Sequence, residues 1–176
     1  MNSQLKTVYI THAHAKVFIK MLTKKIKKRG EKFIPVGGFR RVKEKYKDLD
    51  FMTNIPLHII AERLKLSDVD LTRKKIVYMY KVNDGFIHVD INYCEDQYWA
   101  YGLLHHTGDM QFNIVIRRFA KQHGYKLNQY GLWRLKTEKR VPNTKFKTER
   151  EIFKFLGFKY HTPAERSLRS RFVKKK

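Results

Sequence analysis

Cysteine, acidic side chains and long apolar stretches are all scarce in this sequence. The single cysteine among 176 residues, Cys94, excludes an intramolecular disulfide framework and indicates a reducing compartment inside a cell. No apolar run approaches the roughly 18 residues of a membrane-spanning helix, and the first residues lack the basic and apolar regions of a secretory signal. We therefore expect neither secretion nor a membrane partner.

The shortage of acidic residues leaves a large positive charge. Lysine and arginine total 39 against 16 aspartates and glutamates, which gives a formal net charge of +23. Such a surplus favours a polyanionic partner, and nucleic acid comes first among these. The alternative is a basic protein with no dedicated partner. Hydrophobic residues make up 42% of the chain, which is enough for one packed domain or two small ones.

Hydrophobic periodicity predicts a helix over residues 13–29, capped by Thr11 and followed by Gly30. Apolar positions recur at three- and four-residue spacings and form its expected core face: Val17, Phe18, Met21, Leu22 and Ile26. Lysines occupy the rest of its surface: Lys16, Lys20, Lys24, Lys27 and Lys28. The lysines are either an ordinary solvated face or a rail for phosphate groups.

Further elements follow from apolar runs and turn residues. In the first part of the chain we predict strands over 33–36 and 49–53, a helix from Pro56 through Leu64, and a hairpin of strands 75–82 and 86–93 around Asn83-Asp84-Gly85. In the second part we predict a hinge over 97–104, a helix from Asp109 to about His123, short strands and turns over 125–146, a helix begun by the Thr148–Glu151 capping box and ended by Gly157, and a basic tail over 166–176. These elements predict an α+β fold with a mixed-sheet domain over 1–96 and a smaller α+β lobe over 97–176.

Three aspartates are predicted to project from one face of the sheet. Residues two apart on a strand point the same way, so Asp48 and Asp50 project together while Leu49 faces the core. Asp90 lies on the polar side of its own alternating strand and can join them if the strands are neighbours. Carboxylates held together repel unless a cation sits between them, and oxygen ligands of this kind suit Mg²⁺. Three carboxylates could hold two ions ~3.5–4 Å apart, although an Asp-x-Asp pair alone also fits an exposed turn.

A glycine pair follows the first predicted strand. Gly37 and Gly38 let the backbone approach a ligand closely, and backbone N–H groups in such turns can cradle phosphates. Arg40 and Arg41 add fixed positive charge suited to phosphate oxygens. The alternative is a tight structural turn beside two surface arginines. Together with the aspartates, the turn favours a site for nucleotidyl transfer.

Several motifs carry a resemblance to a known family. The glycine turn and spacer before Asp48-Leu49-Asp50 look like a nucleotidyltransferase signature. The later segments, in order, resemble the family X DNA polymerases of the polymerase β type: Asp96-Gln97-Tyr98-Trp99, Gly102-Leu103-Leu104-His105-His106-Thr107-Gly108-Asp109, Phe112-Asn113 with Arg117, Gly124-Tyr125-Lys126-Leu127-Asn128-Gln129-Tyr130-Gly131-Leu132, and Phe155-Leu156-Gly157-Phe158-Lys159-Tyr160-His161-Thr162-Pro163-Ala164-Glu165-Arg166. With 36 residues before Gly37, the chain is similar to the reduced two-lobe viral members without a lyase domain.

The resemblance implies a nucleotidyltransferase palm over 1–96 and a nucleotide- and DNA-binding lobe over 97–176. The implied function is a monomeric DNA-directed DNA polymerase that adds deoxynucleotides to a primer 3′ end, filling gaps during DNA repair in the host cytoplasm or the virion. Asp48, Asp50 and Asp90 would be catalytic and would hold two Mg²⁺ or Mn²⁺ ions. The implied nucleotide-binding residues are Gly37, Gly38, Arg41, His105, His106, Thr107, Gly108 and Asn113. Gapped or primer-template DNA would contact Arg117, and we add Lys20, Lys24 and Lys27 from the lysine-rich helix.

The sequence departs from the family pattern at three places. Gly38 stands where serine is frequent, Met110 replaces an aspartate of larger members, and His105-His106 replaces a Tyr-Phe pair beside the sugar. These changes bear on the discrimination against ribonucleotides. The alternative functions are a template-independent or RNA-directed nucleotidyltransferase and a catalytically silent nucleic-acid-binding protein. Clustered carboxylates argue against the silent binder, since they would repel a phosphate backbone.

Overall fold

Helices and strands are interspersed along the described part of the chain. A computed structural model describes residues 6–67, 69–70, 72–142 and 146–167. The chain divides into two units, Met1–Cys94 and Glu95–Lys176. Both combine helices with strands, and the first contains a mixed sheet, which confirms the predicted α+β fold. Within the described ranges, no helix is long and apolar enough to cross a membrane.

The first unit is built on a mixed sheet. Its elements, in chain order, are β1 (Ile10–Thr11), α1 (His12–Ile26), β2 (Phe33–Pro35), α2 (Gly37–Arg40), β3 (Lys45–Tyr46), β4 (Asp48–Thr53), α3 (Leu57–Leu64), β5 (Lys75–Val82) and β6 (Gly85–Tyr93). The strand order is β2-β4-β6-β5, in which β4 and β6 are parallel and the two outer pairs are antiparallel. The predicted hairpin is confirmed as β5 and β6.

Alternation on β4 and β6 separates a core face from a polar face. Leu49 and Phe51 on β4 are buried, as are Ile87, Val89 and Ile91 on β6. They share one apolar cluster with residues of α1 and α3. Because every second residue of these strands faces that cluster, the intervening polar residues point away from it.

Helix α1 ends earlier than predicted. Its last residue is Ile26, and Lys27 follows in an extended conformation as the C-cap. The Arg63 guanidinium donates a hydrogen bond to the Ile26 carbonyl at 2.6 Å and forms an ion pair with Glu31, while Glu31 also accepts from the backbone N–H of Lys28 at 2.7 Å. These contacts bind the backbone groups that another helical turn would need, so Lys27 and Lys28 lie beyond the helix.

The core face of α1 is also rotated from the predicted one. Its buried residues are Ala15, Phe18, Ile19, Leu22 and Ile26. Val17 and Met21, predicted to be core residues, are 71% and 45% exposed. The observed stripe follows three- and four-residue steps that include a small alanine and Ile19, whereas a count of large apolar residues favoured the neighbouring stripe.

The second unit begins with helices where a hinge was predicted. Its elements are a 3-10 turn (Asp96–Tyr98), α4 (Trp99–Thr107), α5 (Met110–Gln122), β7 (Tyr125–Asn128), β8 (Gly131–Arg134), α6 (Glu149–Leu156) and a second 3-10 turn (Pro163–Arg166). Residues 97–104 therefore form helical structure, and Ala100, Tyr101 and Leu104 pack in the core of this unit. The capping box that begins α6 is confirmed.

The predicted basic tail begins inside the core of the second unit. Arg166 is fully buried and forms an ion pair with Glu149 on α6. Its guanidinium also lies 5.4 Å from the ring centre of Phe112 and 5.2 Å from that of Phe153. Arg166 is therefore a core residue and not part of a tail, while residues 168–176 lie outside the described part of the chain.

Candidate active site

The three aspartates project from the same face of the sheet. Strands β4 and β6 run parallel, and Asp50 lies directly opposite Asp90 in their register. Asp48 precedes Asp50 by two residues and therefore points the same way. Leu49, between Asp48 and Asp50, and Val89, which precedes Asp90, face the core. The structure thus brings all three carboxylates to the polar face of two neighbouring strands.

Burial and the repulsion from neighbouring carboxylates disfavour the ionised form of Asp50. Burial, followed by the negative charges of Asp48 and Asp90, raises the pKa of the Asp50 carboxyl from 3.8 to about 6. The positive charges of Lys75 and Arg41 act in the opposite direction. A cation bound among these carboxylates would relieve both the repulsion and the loss of solvation.

The glycine turn packs directly against Asp50. The backbone N–H of Val36 donates to the Asp50 carbonyl at 2.8 Å, and α2 begins at the next residue, Gly37. A Cβ atom on Gly37 would lie 1.9 Å from Oδ2 of Asp50, and the φ angle of Gly37 is +54°. Both constraints require glycine. The backbone of the turn therefore lies closer to the carboxylate than any side chain would allow.

An aromatic cluster supports the turn from behind. The imidazole of His12, at the start of α1, stacks on Phe39 with ring centres 4.9 Å apart. Nδ1 of His12 lies 2.7 Å from the Tyr46 hydroxyl, which also donates to the carbonyl of Lys43. The cluster joins α1 and β3 to the turn. Sequence analysis missed it, because no local pattern relates residues this far apart in the chain.

Lys75 is a second residue that sequence analysis missed. Its Nζ lies 2.5 Å from Oδ2 of Asp90 and forms an ion pair with that carboxylate. The predicted hairpin did not reveal it, because a loop over 83–85 would set Lys75 opposite Tyr93, whereas the structure sets Lys75 opposite Asn92. Lys75 and Asp90 are thus diagonal neighbours on one face, within reach of a long side chain.

The three carboxylates suit a hard divalent cation, although their oxygens are not already arranged around one position. Among the described residues, no three His, Cys, Asp or Glu side chains are already arranged as a metal-binding group. The carboxylate oxygens of Asp48, Asp50 and Asp90 are nevertheless the ligand type that Mg²⁺ prefers. Burial and, after it, the charges of Asp48 and Asp90 raise the pKa of Asp50, and a bound ion would favour its ionised form.

In the second unit, three predicted site residues meet around His105. Nη2 of Arg117 donates to Nδ1 of His105 at 2.8 Å, and the Asn113 side-chain amide donates to the His105 carbonyl at 2.8 Å. Burial, followed by the positive charge of Arg117, lowers the pKa of His105 to about 4. His105 is therefore neutral near pH 7, with Nδ1 as an acceptor, and Asn113 and Arg117 are not the exposed pair that their spacing also allowed.

The other predicted residues of this segment differ in their exposure. The His106 ring lies edge-on to that of His105 at 4.8 Å, whereas the Thr107 side chain is fully buried. A Cβ atom on Gly108 would lie 2.8 Å from Phe112 and 2.9 Å from Asn113. Gly108 therefore permits the close approach of α4 and α5 that positions Asn113.

The lysines predicted to contact DNA are exposed. Lys20 and Lys24 lie one turn apart on the outer surface of α1, and Lys27 is the C-cap that follows the last helical residue. The exposed Val17 and Met21 lie on the same helix. This arrangement leaves the ammonium groups accessible to a phosphate backbone.

Comparison with known proteins gives concordant results for both units. A family model described as DNA polymerase beta thumb matches residues 102–167. The chain is 32% identical over 157 residues to the Repair DNA polymerase X of African swine fever virus isolate Tick/South Africa/Pretoriuskop Pr4/1996, and the alignment covers 84% of each chain. It is 27% identical over 166 residues to the protein of that name from strain Badajoz 1971 Vero-adapted, covering 89% of this chain and 94% of the relative.

The chain also matches a small part of a longer bacterial relative. The DNA polymerase/3'-5' exonuclease PolX of Bacillus subtilis (strain 168) is 26% identical over 134 residues, which are 72% of this chain and 22% of that protein. The similarity thus spans reduced viral proteins over most of their length and part of a larger bacterial one. On these matches, the chain belongs to the family X DNA polymerases.

Proposed function

We propose that this DNA-directed DNA polymerase acts as a monomer that fills gaps in DNA by two-metal nucleotidyl transfer. The relatives named Repair DNA polymerase X support a role in DNA repair. The primer 3′ oxygen would attack the α-phosphate of a deoxynucleoside triphosphate, and pyrophosphate would leave. The single cysteine, Cys94, is buried and forms no disulfide, which fits work in a reducing compartment such as a host cytoplasm or a virion.

The proposal is carried by the observation that three carboxylates lie together on the polar face of β4 and β6. Asp48 and Asp50 would each contact two Mg²⁺ or Mn²⁺ ions, and Asp90 would hold the one nearer the primer. Bound there, divalent ions would lower the pKa of the primer hydroxyl and neutralise charge on the triphosphate. Asp90 would orient the primer terminus and help to accept the proton of its hydroxyl.

The glycine turn would hold the triphosphate. Gly37 and Gly38 present backbone without side chains next to Asp50, so phosphate oxygens could approach both the N–H groups and the carboxylate face. The positive charge of Arg41 favours the ionised form of Asp50, and it would also attract phosphate oxygens bound nearby. Positioning and charge neutralisation would supply most of the rate acceleration.

The cluster around His105 would bind the sugar and base of the nucleotide. A neutral His105 presents its ring without adding charge; Arg117 holds the ring through Nδ1, and Asn113 holds the backbone carbonyl. His106, Thr107 and Gly108 would form the segment beside the sugar. The buried Thr107 side chain would support this segment from within, while Asn113 and Arg117 would face the base pair.

DNA binding would depend on the net charge of the chain and on accessible lysines. Lys20, Lys24 and Lys27 are exposed and would contact phosphates without regard to sequence. Each neutralised phosphate releases counterions, so the affinity should fall steeply as salt is added.

A gapped-duplex extension assay tests the proposal. The protein is given a one-nucleotide gap, Mg²⁺ and each deoxynucleotide singly. We expect incorporation directed by the template base, and we expect Asp90→Asn to abolish it. Asp84→Asn, which removes an exposed carboxylate from the β5–β6 turn, is the matched control and should retain activity.

Two outcomes would contradict the proposal. Near-normal extension by Asp90→Asn would remove the carboxylate face from the chemistry. Incorporation that ignores the template base would instead indicate a terminal transferase. Circular dichroism of each variant shows whether a loss of activity reflects a loss of fold.

A further inference from the structure

The proposed transfer reaction does not use the ion pair between Lys75 and Asp90. Lys75 reaches across from β5, and its Nζ lies 2.5 Å from Oδ2 of Asp90. The side chain of Asp90 is 22% exposed and that of Lys75 is 41% exposed. The pair is therefore partly desolvated at the carboxylate, while the lysine stem has room to move into solvent.

The ammonium acts on more than one carboxylate of the face. Besides contacting Asp90, Lys75 opposes the rise in the pKa of Asp50, and Asp50 lies opposite Asp90 in the strand register. One positive charge thus offsets part of the repulsion among the aspartates. This is the task that a divalent ion would perform with twice the charge.

We propose that Lys75 occupies the cation position at Asp90 in the metal-free protein and competes with the divalent ion for that carboxylate. The inference rests on the proposed function, because it takes Asp90 to be a metal ligand. An ammonium 2.5 Å from Oδ2 lies in the space that an ion bound to that oxygen, or its coordinated water, would need. It would also repel the ion, so Lys75 must withdraw when the ion binds.

Competition of this kind makes Lys75 a positioning residue that sets metal affinity. In the free protein it holds Asp90 in place and limits repulsion on the polar face. When the ion binds, the ammonium moves outward along its flexible stem. The measured binding free energy of the ion is then the binding free energy of the carboxylates alone, reduced by the free energy needed to displace the lysine.

Titration with Mn²⁺ alone, followed by electron paramagnetic resonance, tests this without nucleotide, DNA or catalysis. Lys75→Met removes the competing charge and should tighten Mn²⁺ binding by about tenfold. This is the change in affinity expected from the repulsion between a single and a double charge roughly 5 Å apart in water-like surroundings. Lys75→Arg keeps a competing cation and should bind Mn²⁺ as the unmodified protein does.

Lys81→Met is the matched control. Lys81 is exposed on the same strand and lies roughly 20 Å from Lys75 along it, beyond the screening length at physiological salt. Removing its charge should change Mn²⁺ affinity by less than about twofold.

The outcomes separate this inference from the proposed metal site. Tighter binding by Lys75→Met that disappears when Asp90→Asn is added supports it. Binding that requires Asp90 but is unchanged or weakened in Lys75→Met overturns the competition and leaves the metal site intact. Binding that does not change in Asp90→Asn overturns the metal site and the inference together.

Discussion

Replacing Asp50 by asparagine should stabilise the metal-free protein while removing its polymerase activity. The Asp50 carboxylate is largely buried and lies beside Asp48 and Asp90, so its charge is unfavourable in the folded state. Asparagine has nearly the same shape and carries no charge. The variant therefore removes repulsion and desolvation at the cost of a proposed metal ligand.

The pKa of Asp50 gives the size of the effect. It rises from 3.8 to about 6, and each tenfold change in proton affinity corresponds to about 1.4 kcal/mol. Because the folded state binds the proton more tightly than the unfolded state, ionised Asp50 lowers the free energy of unfolding. The loss reaches about 3 kcal/mol above pH 6 and vanishes as the pH falls below about 4.

Urea unfolding in the presence of a chelator measures this directly. At about pH 7.5, Asp50→Asn should unfold with a free energy about 2–3 kcal/mol higher than that of the unmodified protein. At about pH 4.5 the difference should shrink to roughly 1 kcal/mol, because Asp50 is then already protonated in the folded state. Asp84→Asn, an exposed aspartate outside the cluster, should show no such pH-dependent gain.

Added Mg²⁺ provides a second arm. A bound ion stabilises only the folded state, so it should raise the unfolding free energy of the unmodified protein and leave that of Asp50→Asn nearly unchanged. If Asp50→Asn is no more stable than the unmodified protein at pH 7.5 in chelator, the electrostatic account of this face is wrong.

Three further predictions follow from the packing and the charge. Gly37→Ala places a Cβ atom 1.9 Å from Oδ2 of Asp50 and should reduce primer extension by about 10²-fold or more, whereas Gly30→Ala, at a similar positive φ with open space around it, should leave extension unchanged. Glu149→Ala leaves Arg166 buried without its ion-pair partner and should lower the unfolding free energy by about 3–5 kcal/mol in urea titrations. DNA affinity should fall steeply between about 50 and 200 mM salt in fluorescence anisotropy, and a flat response would contradict the phosphate-binding account.

Local patterns predict much of this fold correctly. The alternation that turns Leu49 inward and Asp48 and Asp50 outward is a property of a few neighbouring residues, and the structure has it. The turn residues of the β5–β6 hairpin and the Thr148 capping box are equally local. These features depend on backbone geometry within one or two turns of chain, so the sequence alone suffices to predict them.

Features that depend on distant partners could not be predicted in this way. The end of α1 at Ile26 is set by Arg63, which is far away in the sequence. The aromatic composition of α4 indicated a hinge, but Tyr101 is buried among residues that come later in the chain. The basic residues around Arg166 predict a tail, because nothing near it in the sequence shows that Glu149 is its partner.

The candidate site divides along the same line. Strand alternation predicts the direction of Asp50 and Asp90, and the parallel register that sets them opposite each other appears only in the structure. The support of the glycine turn by His12 has no sequence signal. Lys75 is intermediate, because the turn residues predict the hairpin, whereas the register that makes Lys75 diagonal to Asp90 appears only in the structure.

The strand order also determines how strongly the backbone around the aspartates is protected from local opening of the sheet. Strands β4 and β6 are hydrogen-bonded on both sides, whereas β5 and β2 form the two ends of the described sheet. Backbone amides of Asp50 and Asp90 should therefore exchange with deuterated water only when the whole unit opens, while those at the free edge of β5 exchange sooner. We therefore expect the aspartates to lie on the most slowly exchanging strands of the unit, and Lys75, which offsets part of their repulsion, to lie on an edge strand that opens more readily.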